Sequence, residues 1–210
     1  MKGAVRNAWA WWLGSVLVLA APSTASAGPG PGSLEISAGY ARCSNPIGAS
    51  DETMGGSVSI GMSYWHPISS IVALGAELSM DNLGSAVTNT YDSVTSTTFH
   101  EEFSTHVFRI NPALRVNLGA TMGPSFYAQG GAGWYRVTWD YSVDNSLIQA
   151  QSGDSSTELG FSVGAGLGYP VGPGTRMNVT GMYHFVPANS LNNMENTNNA
   201  QIRVGLGFEL

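Results

Sequence analysis

The sequence predicts an all-β protein, an eight-stranded antiparallel up-and-down transmembrane β-barrel that follows an N-terminal signal peptide. Three observations predict this fold class. Segments in which apolar and polar residues alternate recur along the chain, the connections between them are alternately long and short, and only 10% of the residues are charged. Such alternation is typical of strands with one apolar face. Inside lipid, strands satisfy all of their backbone groups only when they close into a barrel.

The first 27 residues have the features of a secretory signal peptide. A basic start precedes an apolar run at residues 8–21, and Ala25 and Ala27 provide the small residues of a cleavage site. The run is shorter than the roughly 20 residues that a membrane-spanning helix needs, so an uncleaved anchor is the less favoured alternative. The sequence therefore predicts a signal peptide at residues 1–27 and an outer-membrane β-barrel domain at residues 28–210.

The composition after residue 27 argues against several classes of protein. It contains six arginines, no lysine and fourteen acidic residues, which gives a formal charge of 6 − 14 = −8. A negative surface argues against binding to nucleic acid, and a soluble domain would have about 25% charged residues. The single cysteine, Cys43, has no partner for an intramolecular disulfide and is predicted to be a loop thiol.

Eight segments repeat with a period of two residues. The predicted strands are residues 33–42, 56–65, 71–81, 103–118, 125–141, 157–169, 176–186 and 201–210. Pro112 lies within the fourth strand and predicts a bulge or a locally unpaired position, because proline has no N–H to donate. In the fifth strand, Phe126 and Trp134 are predicted to face outward. The apolar residues Val137 and Trp139 indicate that the phase slips beyond Trp134.

The lengths of the connections predict the orientation of the barrel. Three are short, at residues 66–70, 119–124 and 170–174, and four are long, at residues 44–55, 82–102, 142–156 and 187–199. Outer-membrane barrels have tight periplasmic turns and long external loops. Both chain termini then lie on the periplasmic side, as expected for a protein that is exported through the inner membrane to the cell outer membrane.

The apolar face of each strand is predicted to meet lipid, with aromatic girdles at the two membrane interfaces. The predicted girdle residues are Tyr40, Tyr64, Trp65, Trp134, Trp139, Tyr169, Phe185 and Phe208. The rival fold is a soluble secreted barrel whose apolar face points inward. It is less favoured, because soluble β-proteins protect their outer surfaces with charge, especially lysine, and the polar face here has none.

The polar face is predicted to line a narrow lumen, because eight strands leave an interior that side chains just fill. The predicted lumen charge network is Glu35, Glu77, Arg109, Arg115, Glu158, Arg176, Arg203 and Glu209. Four carboxylates and four guanidinium groups can pair, and an unpaired buried charge would be costly. Two interpretations remain open, a structural polar core and a narrow conduction path. His184 shares this face and is predicted to be a hydrogen-bonded lumen residue.

The stretch HEEFSTH, residues 100–106, contains the best candidates for metal chemistry. Its histidines are six residues apart on a strand, whereas the zinc-protease motif needs them four apart on a helix. At strand period, His100, Glu102 and His106 share one face and could weakly hold a divalent cation. The alternative is a solvated strand end beside a loop. We expect no catalytic residues, no structural metal and no cofactor.

The whole chain after residue 27 resembles the small eight-stranded outer-membrane β-barrel superfamily of the OmpA/OmpX type. The stretches that carry the resemblance are SYWHPISSIVALGAELSM, PSFYAQGGAGWYRV, ELGFSVGAGLGYPVGPGTRMNV and RVGLGFEL. The resemblance implies a monomer whose last strand is read by the barrel assembly machinery, usually through a terminal Phe. Here Leu210 ends the chain and Phe208 precedes it by two residues. Lipid A deacylases of similar size resemble one another around His-x-Ser-Asn, and the stretch YHFVPANS departs from that motif.

The hypothesis that the sequence favours is a structural or interaction role. External protein partners could bind at loops 82–102 and 142–156, and the Thr/Ser-rich residues 88–98 could extend two strands whose edge adds a strand from another protein. Acidic loops could contact outer-membrane lipid and lipopolysaccharide through bridging divalent cations. A narrow porin-like channel for small solutes is the alternative, and a lipid-active outer-membrane enzyme is the third hypothesis.

Overall fold

The computed structural model describes residues 31–43, 56–93, 96–118, 123–144, 149–187 and 198–210. The predicted signal peptide lies outside the described residues. The eight strands are β1 (Ser33–Cys43), β2 (Ser57–Pro67), β3 (Val72–Asp92), β4 (Thr97–Asn117), β5 (Ser125–Asp144), β6 (Gln149–Gly172), β7 (Thr175–Phe185) and β8 (Asn199–Glu209). The described residues form no helix that is long and apolar enough to span a membrane.

The strands close into one barrel in sequence order. Each strand is antiparallel to its neighbours, and β1 pairs with β8 from Ser33↔Glu209 to Cys43↔Asn199. The last residues of the sequence therefore form the strand that closes the sheet. Alternating residues are exposed on the outer face, such as Ile36 at 55%, and buried on the inner face. The predicted fold class, all-β with eight antiparallel strands, is confirmed.

The strands differ in length by a factor of about two. β1, β2, β7 and β8 have 11 residues each, whereas β3 to β6 have 20 to 24. The four long strands continue beyond the closed wall as a four-stranded extension that we call the protruding sheet. It comprises residues 82–92, 97–106, 138–144 and 149–160. Much of the two predicted loops 82–102 and 142–156 is thus strand, because the β3–β4 and β5–β6 ladders continue to their tips.

Two irregularities interrupt the ladders. The β4–β5 pairs pass from Ile110↔Trp134 to Ala113↔Gly131 without a register shift, so the ladder skips Asn111 and Pro112. The locally unpaired position predicted at Pro112 is confirmed. The β3–β4 register shifts between Asn82 and Ser85, and Gly84 has a φ of 93°, a left-handed conformation that favours glycine. This bulge lies at the base of the protruding sheet.

The phase of β5 does not slip. Trp134 faces outward and Tyr135 inward, and Val137 continues on the inner face with 5% of its surface exposed. The predicted slip beyond Trp134 is therefore wrong. The apolar residues there mark the place where β5 leaves the membrane and its inner face becomes apolar, while the alternation itself is unchanged.

Candidate functional site

The middle of the lumen contains a charged layer, formed by Glu77, Asp81, Arg109 and Arg203. Arg109 contacts two carboxylates, with Nη1 at 2.5 Å from Asp81 Oδ2 and Nη2 at 3.6 Å from Glu77 Oε1. Arg203 donates from Nη2 to the same Glu77 Oε1. All four side chains are almost fully buried, and Arg109 has no exposed surface. Two carboxylates thus balance two guanidinium groups across β3, β4 and β8.

Small and amide residues complete this layer. Gln201 Oε1 accepts hydrogen bonds from Arg109 Nη2 at 2.8 Å and from Ser59 Oγ at 3.1 Å. Gly61 on β2 lies against Arg203, and a Cβ at that position would overlap the guanidinium. The absence of a side chain at Gly61 therefore leaves space for the Arg203 guanidinium. This arrangement holds charge inside a wall of only eight strands.

The periplasmic end of the lumen is occupied by Arg115. Its guanidinium carbon lies 3.9 Å from the ring centroid of Trp65 and 4.1 Å from that of Tyr127, so the cation is enclosed between two aromatic faces. Arg115 Nη2 donates to Glu35 Oε2 at 3.1 Å and to Gln129 Oε1 at 2.8 Å. Coulombic, hydrogen-bond and cation–π contacts all hold the same group in place.

The external end of the lumen is closed by apolar side chains, which we call the apolar cap. Its members are Ala41, Cys43, Leu83, Val107, Tyr135, Val137 and Val186. Cys43, predicted to be a loop thiol, is instead the last residue of β1 and is buried here, with Sγ 3.5 Å from Asn198 O. The lumen therefore has charge in its centre and an apolar barrier above it.

His184 lies between the charged layer and the apolar cap. Its Nδ1 is 3.0 Å from Tyr135 Oη, and its Nε2 is 2.5 Å from Gln201 Nε2. Tyr135 Oη also accepts from Asn111 Nδ2 at 2.8 Å. His184 has no exposed surface. Both ring nitrogens are thus engaged inside the barrel, away from lipid and from external water.

The inner face of the protruding sheet carries aromatic residues. Phe103 and Trp139 stack with ring centroids 6.3 Å apart, and Tyr141 lies opposite Phe103 on β5. Desolvation and the neighbouring Glu101 carboxylate raise the pKa of Tyr141. These side chains are only partly buried, so the face remains accessible from outside the membrane.

The structure places the eight residues of the predicted lumen network in two groups. Five are buried and ion-paired in the lumen, namely Glu35, Glu77, Arg109, Arg115 and Arg203. The other three are outside it. Arg176 is at the periplasmic rim and donates to Ser125 Oγ at 2.7 Å. Glu209 is exposed where β8 ends, and Glu158 lies above the last β6–β7 pair, Phe161↔Phe185. These three residues face the same side of the barrel wall as the five paired residues, but they lie at a different depth along the barrel.

The predicted girdle residues also divide. Five lie exposed on the outer face, namely Tyr40, Trp134, Tyr169, Phe185 and Phe208, and Tyr64 is partly exposed there. Trp65 and Trp139 do not belong to a girdle. Trp65 has 2% of its surface exposed and faces the lumen, because its neighbour Tyr64 occupies the outward position. Trp139 faces inward in the protruding sheet, opposite the buried Thr105.

The predicted cation site at residues 100–106 lies on the outer face of the protruding sheet. His100 Nδ1 is 2.8 Å from Asn89 Oδ1, and His100 pairs with Asp144 on β5. In the part of the chain that the structure describes, no group of three or more His, Cys, Asp or Glu side chains is arranged to hold a metal ion. The geometry gives this hypothesis no support.

Several residues of the lumen were not among the predicted site residues. Asp81 ends the third predicted strand and has the same phase as Glu77, so its inward position was indicated but its pairing with Arg109 was not. For Gln129, Gln201 and Tyr135, the sequence indicated only that the side chains face inward, and it did not indicate their hydrogen-bond partners. The partners of a buried charge lie on distant strands, and only the closed wall shows which of them share a level.

A closed eight-stranded barrel with an apolar exterior and a charge-paired interior defines an integral protein of the outer membrane. The family of the outer membrane protein beta-barrel domain matches residues 13–209, and the chain belongs to that family. It is located in the outer membrane. No protein of curated function matches the sequence.

Several solved structures of outer-membrane barrels are similar to this chain. A major outer membrane protein from Thermus thermophilus is 12% identical, with a TM-score of 0.52 over 85% of this chain and 99% of that chain. The N-terminal β-barrel domain of Pseudomonas aeruginosa OprF is 16% identical, with a TM-score of 0.48 over 85% and 97%. Neisserial surface protein A is 14% identical, with a TM-score of 0.48 over 85% and 97%. At these identities the similarity concerns the fold alone.

Proposed function

We propose that this protein is a non-enzymatic outer-membrane protein that contacts external partners through the protruding sheet, and that its lumen is a structural core. The observation that carries the proposal is the extra length of β3 to β6, which continue beyond the closed wall. Such an extension exposes strand edges outside the membrane. An extended segment of another protein can pair with an exposed edge through main-chain hydrogen bonds.

The protruding sheet has two edges. Pairing of β3 with β2 ends at Ser59↔Asp81, which leaves residues 82–92 without a second neighbour among the described strands. Pairing of β6 with β7 ends at Phe161↔Phe185, which leaves residues 149–160 likewise without a second neighbour among the described strands. Both edges are longer than the five or six residues of an average strand.

The β3 edge is the better candidate for strand addition. Edge strands are normally protected by lysine, proline, inward charges or bulges, and residues 85–91 contain no charged residue and no proline. Among the described residues of this edge, the register shifts only at the bulge at its base. Val87 and Tyr91 are exposed by 42% and 65%, and both are residue types with high β-propensity.

The test uses proline at two adjacent positions. Consecutive residues of a strand direct their N–H groups to opposite sides. One of the variants Val87→Pro and Thr88→Pro therefore removes an N–H that bonds to β4, and the other removes an N–H at the free edge of β3. A photo-crosslinking residue in place of Tyr91 reports adducts in living cells. The variant that loses the edge donor should keep a protease-resistant hairpin and lose its protein adducts. Unchanged adducts in that variant would contradict strand addition.

A narrow channel is the second candidate. Polar side chains follow the lumen from Glu35 through Glu77 to Asp81, a lining that would suit ions. The apolar cap and the cation–π contacts of Arg115 oppose it, because they fill both ends. Planar-bilayer recordings separate the two. Discrete single-channel steps that change in Arg115→Gln or Glu77→Gln would support a channel, and a silent bilayer would support the structural core.

A lipid-active enzyme has the least support. His184 is the histidine of the stretch YHFVPANS, which departs from the deacylase motif. It is enclosed between Tyr135 and Gln201 and has no exposed surface for a lipid to reach. Purified barrel incubated with envelope lipids should release no fatty acid. Hydrolysis that disappears in His184→Gln or His106→Gln would overturn the non-enzymatic proposal.

A further inference from the structure

Arg136 differs from the arginines of the lumen. Arg109, Arg115 and Arg203 are buried and ion-paired, whereas Arg136 is exposed on the outer face of β5. Within the described part of the chain it forms no ion pair. Its side chain donates a hydrogen bond from Nη2 to Ser155 Oγ at 3.3 Å. Arg136 is thus a cation on the outer surface of an acidic protein, and no carboxylate among the described residues forms an ion pair with it.

The height of Arg136 along the barrel is set by the outward residues of β5. The outer face is apolar or small from Phe126 to Trp134, and these nine residues match the length with which a strand crosses the membrane. Arg136 is the next outward residue toward the cell exterior. It thus lies at the boundary between the acyl chains and the headgroups of the outer leaflet.

The guanidinium points away from the acyl chains. Arg136 pairs with Thr157 on β6, and its hydrogen-bond acceptor Ser155 is one outward position further from the membrane, opposite Thr138. This is the orientation expected when an arginine keeps its stem along apolar surface and its charge in a polar layer. On the other side of β5, the apolar residue Phe108 pairs with Arg136.

The residues around the guanidinium form ordered layers on this wall. Trp134 and Leu159 lie below it and are exposed by 57% and 64%. Ser155 accepts its hydrogen bond, Thr157 is the residue that pairs with Arg136, and Thr138 pairs with Ser155, so hydroxyl-bearing residues occupy this level. Carboxylates such as Asp140 begin one step beyond Thr138. Apolar, cationic and hydroxyl layers in that order are complementary to a lipid whose acyl chains end at a phosphate. Arg is well suited to phosphate, because its planar fork donates two parallel hydrogen bonds.

We propose that Arg136, with Ser155 and Thr157, binds the phosphorylated headgroup of an outer-membrane lipid. The occupant is a lipid, because the site opens sideways from the barrel wall directly above residues that contact acyl chains. Ser155 and Thr157 lie on the β6 strand of the protruding sheet, but the site uses their outward side chains and includes no residue of the β3 edge. It is therefore independent of strand addition at the β3 edge.

The test is binding of diphosphoryl lipid A to the purified barrel in detergent micelles, measured by native mass spectrometry. Arg136→Gln should weaken binding about tenfold or more, the effect of losing a hydrogen bond to a charged group. Arg42→Gln is the matched control. Arg42 is also the first outward residue beyond an aromatic one, Tyr40, but the residue that pairs with it on β8 is Ala200, whereas Arg136 pairs with Thr157 on β6. It should change binding less than about twofold on the same scale.

Further variants keep the outcome clear. Ser155→Ala, a change at an exposed position, should weaken binding about threefold if the hydroxyl shares the phosphate. Heat-dependent electrophoretic mobility shows that each variant is folded. Equal losses in Arg136→Gln and Arg42→Gln would overturn the site in favour of general charge attraction. Complete displacement of the lipid by excess inorganic phosphate would overturn the lipid as occupant.

Discussion

The closed barrel and the protruding sheet share four strands, yet their inner faces differ. Inside the closed wall, the inward positions hold Glu77, Arg109 and Arg203 in contact with one another and away from solvent. Above the wall, the inward positions of β4 and β5 hold Phe103 and Trp139, only partly buried. Charge is thus placed where the wall closes around it and supplies partners. Where the wall opens, aromatic stacking holds the strands together.

The largest expected effect tests the charged layer. Glu77→Gln removes the carboxylate that contacts both Arg109 and Arg203, and breaking a buried ion pair by removal of one partner typically costs about 3–5 kcal/mol. We expect the free energy of unfolding, measured by urea titration in lipid vesicles, to fall by about that amount. Glu209→Gln, at the exposed end of β8, should cost less than about 0.5 kcal/mol. Equal losses would show that the closed wall does not set the need for pairing.

A smaller effect is expected from the glycines of the lumen. Gly166 lies beneath the ring of Tyr127, and a Cβ there would overlap it, while Tyr127 Oη is held by Thr180 Oγ1 at 2.5 Å. Gly166→Ala should cost about 1–3 kcal/mol through overpacking, measured by the same titration.

The control for this substitution is Gly181→Ala on the outer face, where the nearest atom to an added Cβ is Ala165 O at 4.0 Å. It should change the free energy of unfolding by less than about 0.5 kcal/mol. Because Tyr127 also contacts Arg115 and Thr180, Tyr127→Leu has a cost of its own, and the double variant Gly166→Ala, Tyr127→Leu should lose less than the sum of the two single variants. Additive losses would mean that the ring and the glycine do not compete for one space.

The same contrast explains how much the sequence predicted. Alternation identified all eight strands and the face of most residues, because burial on one side of a sheet imposes a period of two. It did not give depth. Glu158 and Glu209 have the same phase as Glu77, but they lie where the wall has opened or ended. Their position depends on how far each neighbouring strand extends, and a single strand does not encode that.

Two other differences between the predicted and the observed structure have local causes. The tips of β5 and β6 were predicted as a loop because their Ser, Asn and Gly residues resemble turn sequences, and only cross-strand pairing shows them to be strand. Residues 82–102 were also counted as a loop, although the Thr/Ser-rich residues 88–98 indicated that two strands could extend there, and the described parts of β3 and β4 do extend into this range. Trp65 was assigned to a girdle together with Tyr64. Adjacent residues of a strand face opposite sides, so one of the two had to face the lumen.

Within the protruding sheet, we expect a smaller effect on stability than in the lumen. A double-mutant cycle of Phe103→Leu and Trp139→Leu should give a coupling of about 0.5–1.5 kcal/mol for the stacked pair. It should appear in the local opening of residues 97–106 and 138–144, measured by hydrogen exchange. Amides of β1 and β8 should not change, because they pair only inside the closed wall. Faster exchange there would show that the two regions unfold together.

The last prediction sharpens the boundary between inside and outside without any change in stability. After residue 27 the chain contains three tryptophans, so variants that keep only Trp65 or only Trp134 need two Trp→Phe changes each. Lipids brominated on their acyl chains quench tryptophans that touch them. Trp134, exposed by 57%, should be strongly quenched, and Trp65, exposed by 2% beside Arg115, should not. A shift of one residue in strand register exchanges the two faces. Strong quenching of Trp65 would therefore mean that β2 is out of register, and that the cation–π contact at the periplasmic end does not exist.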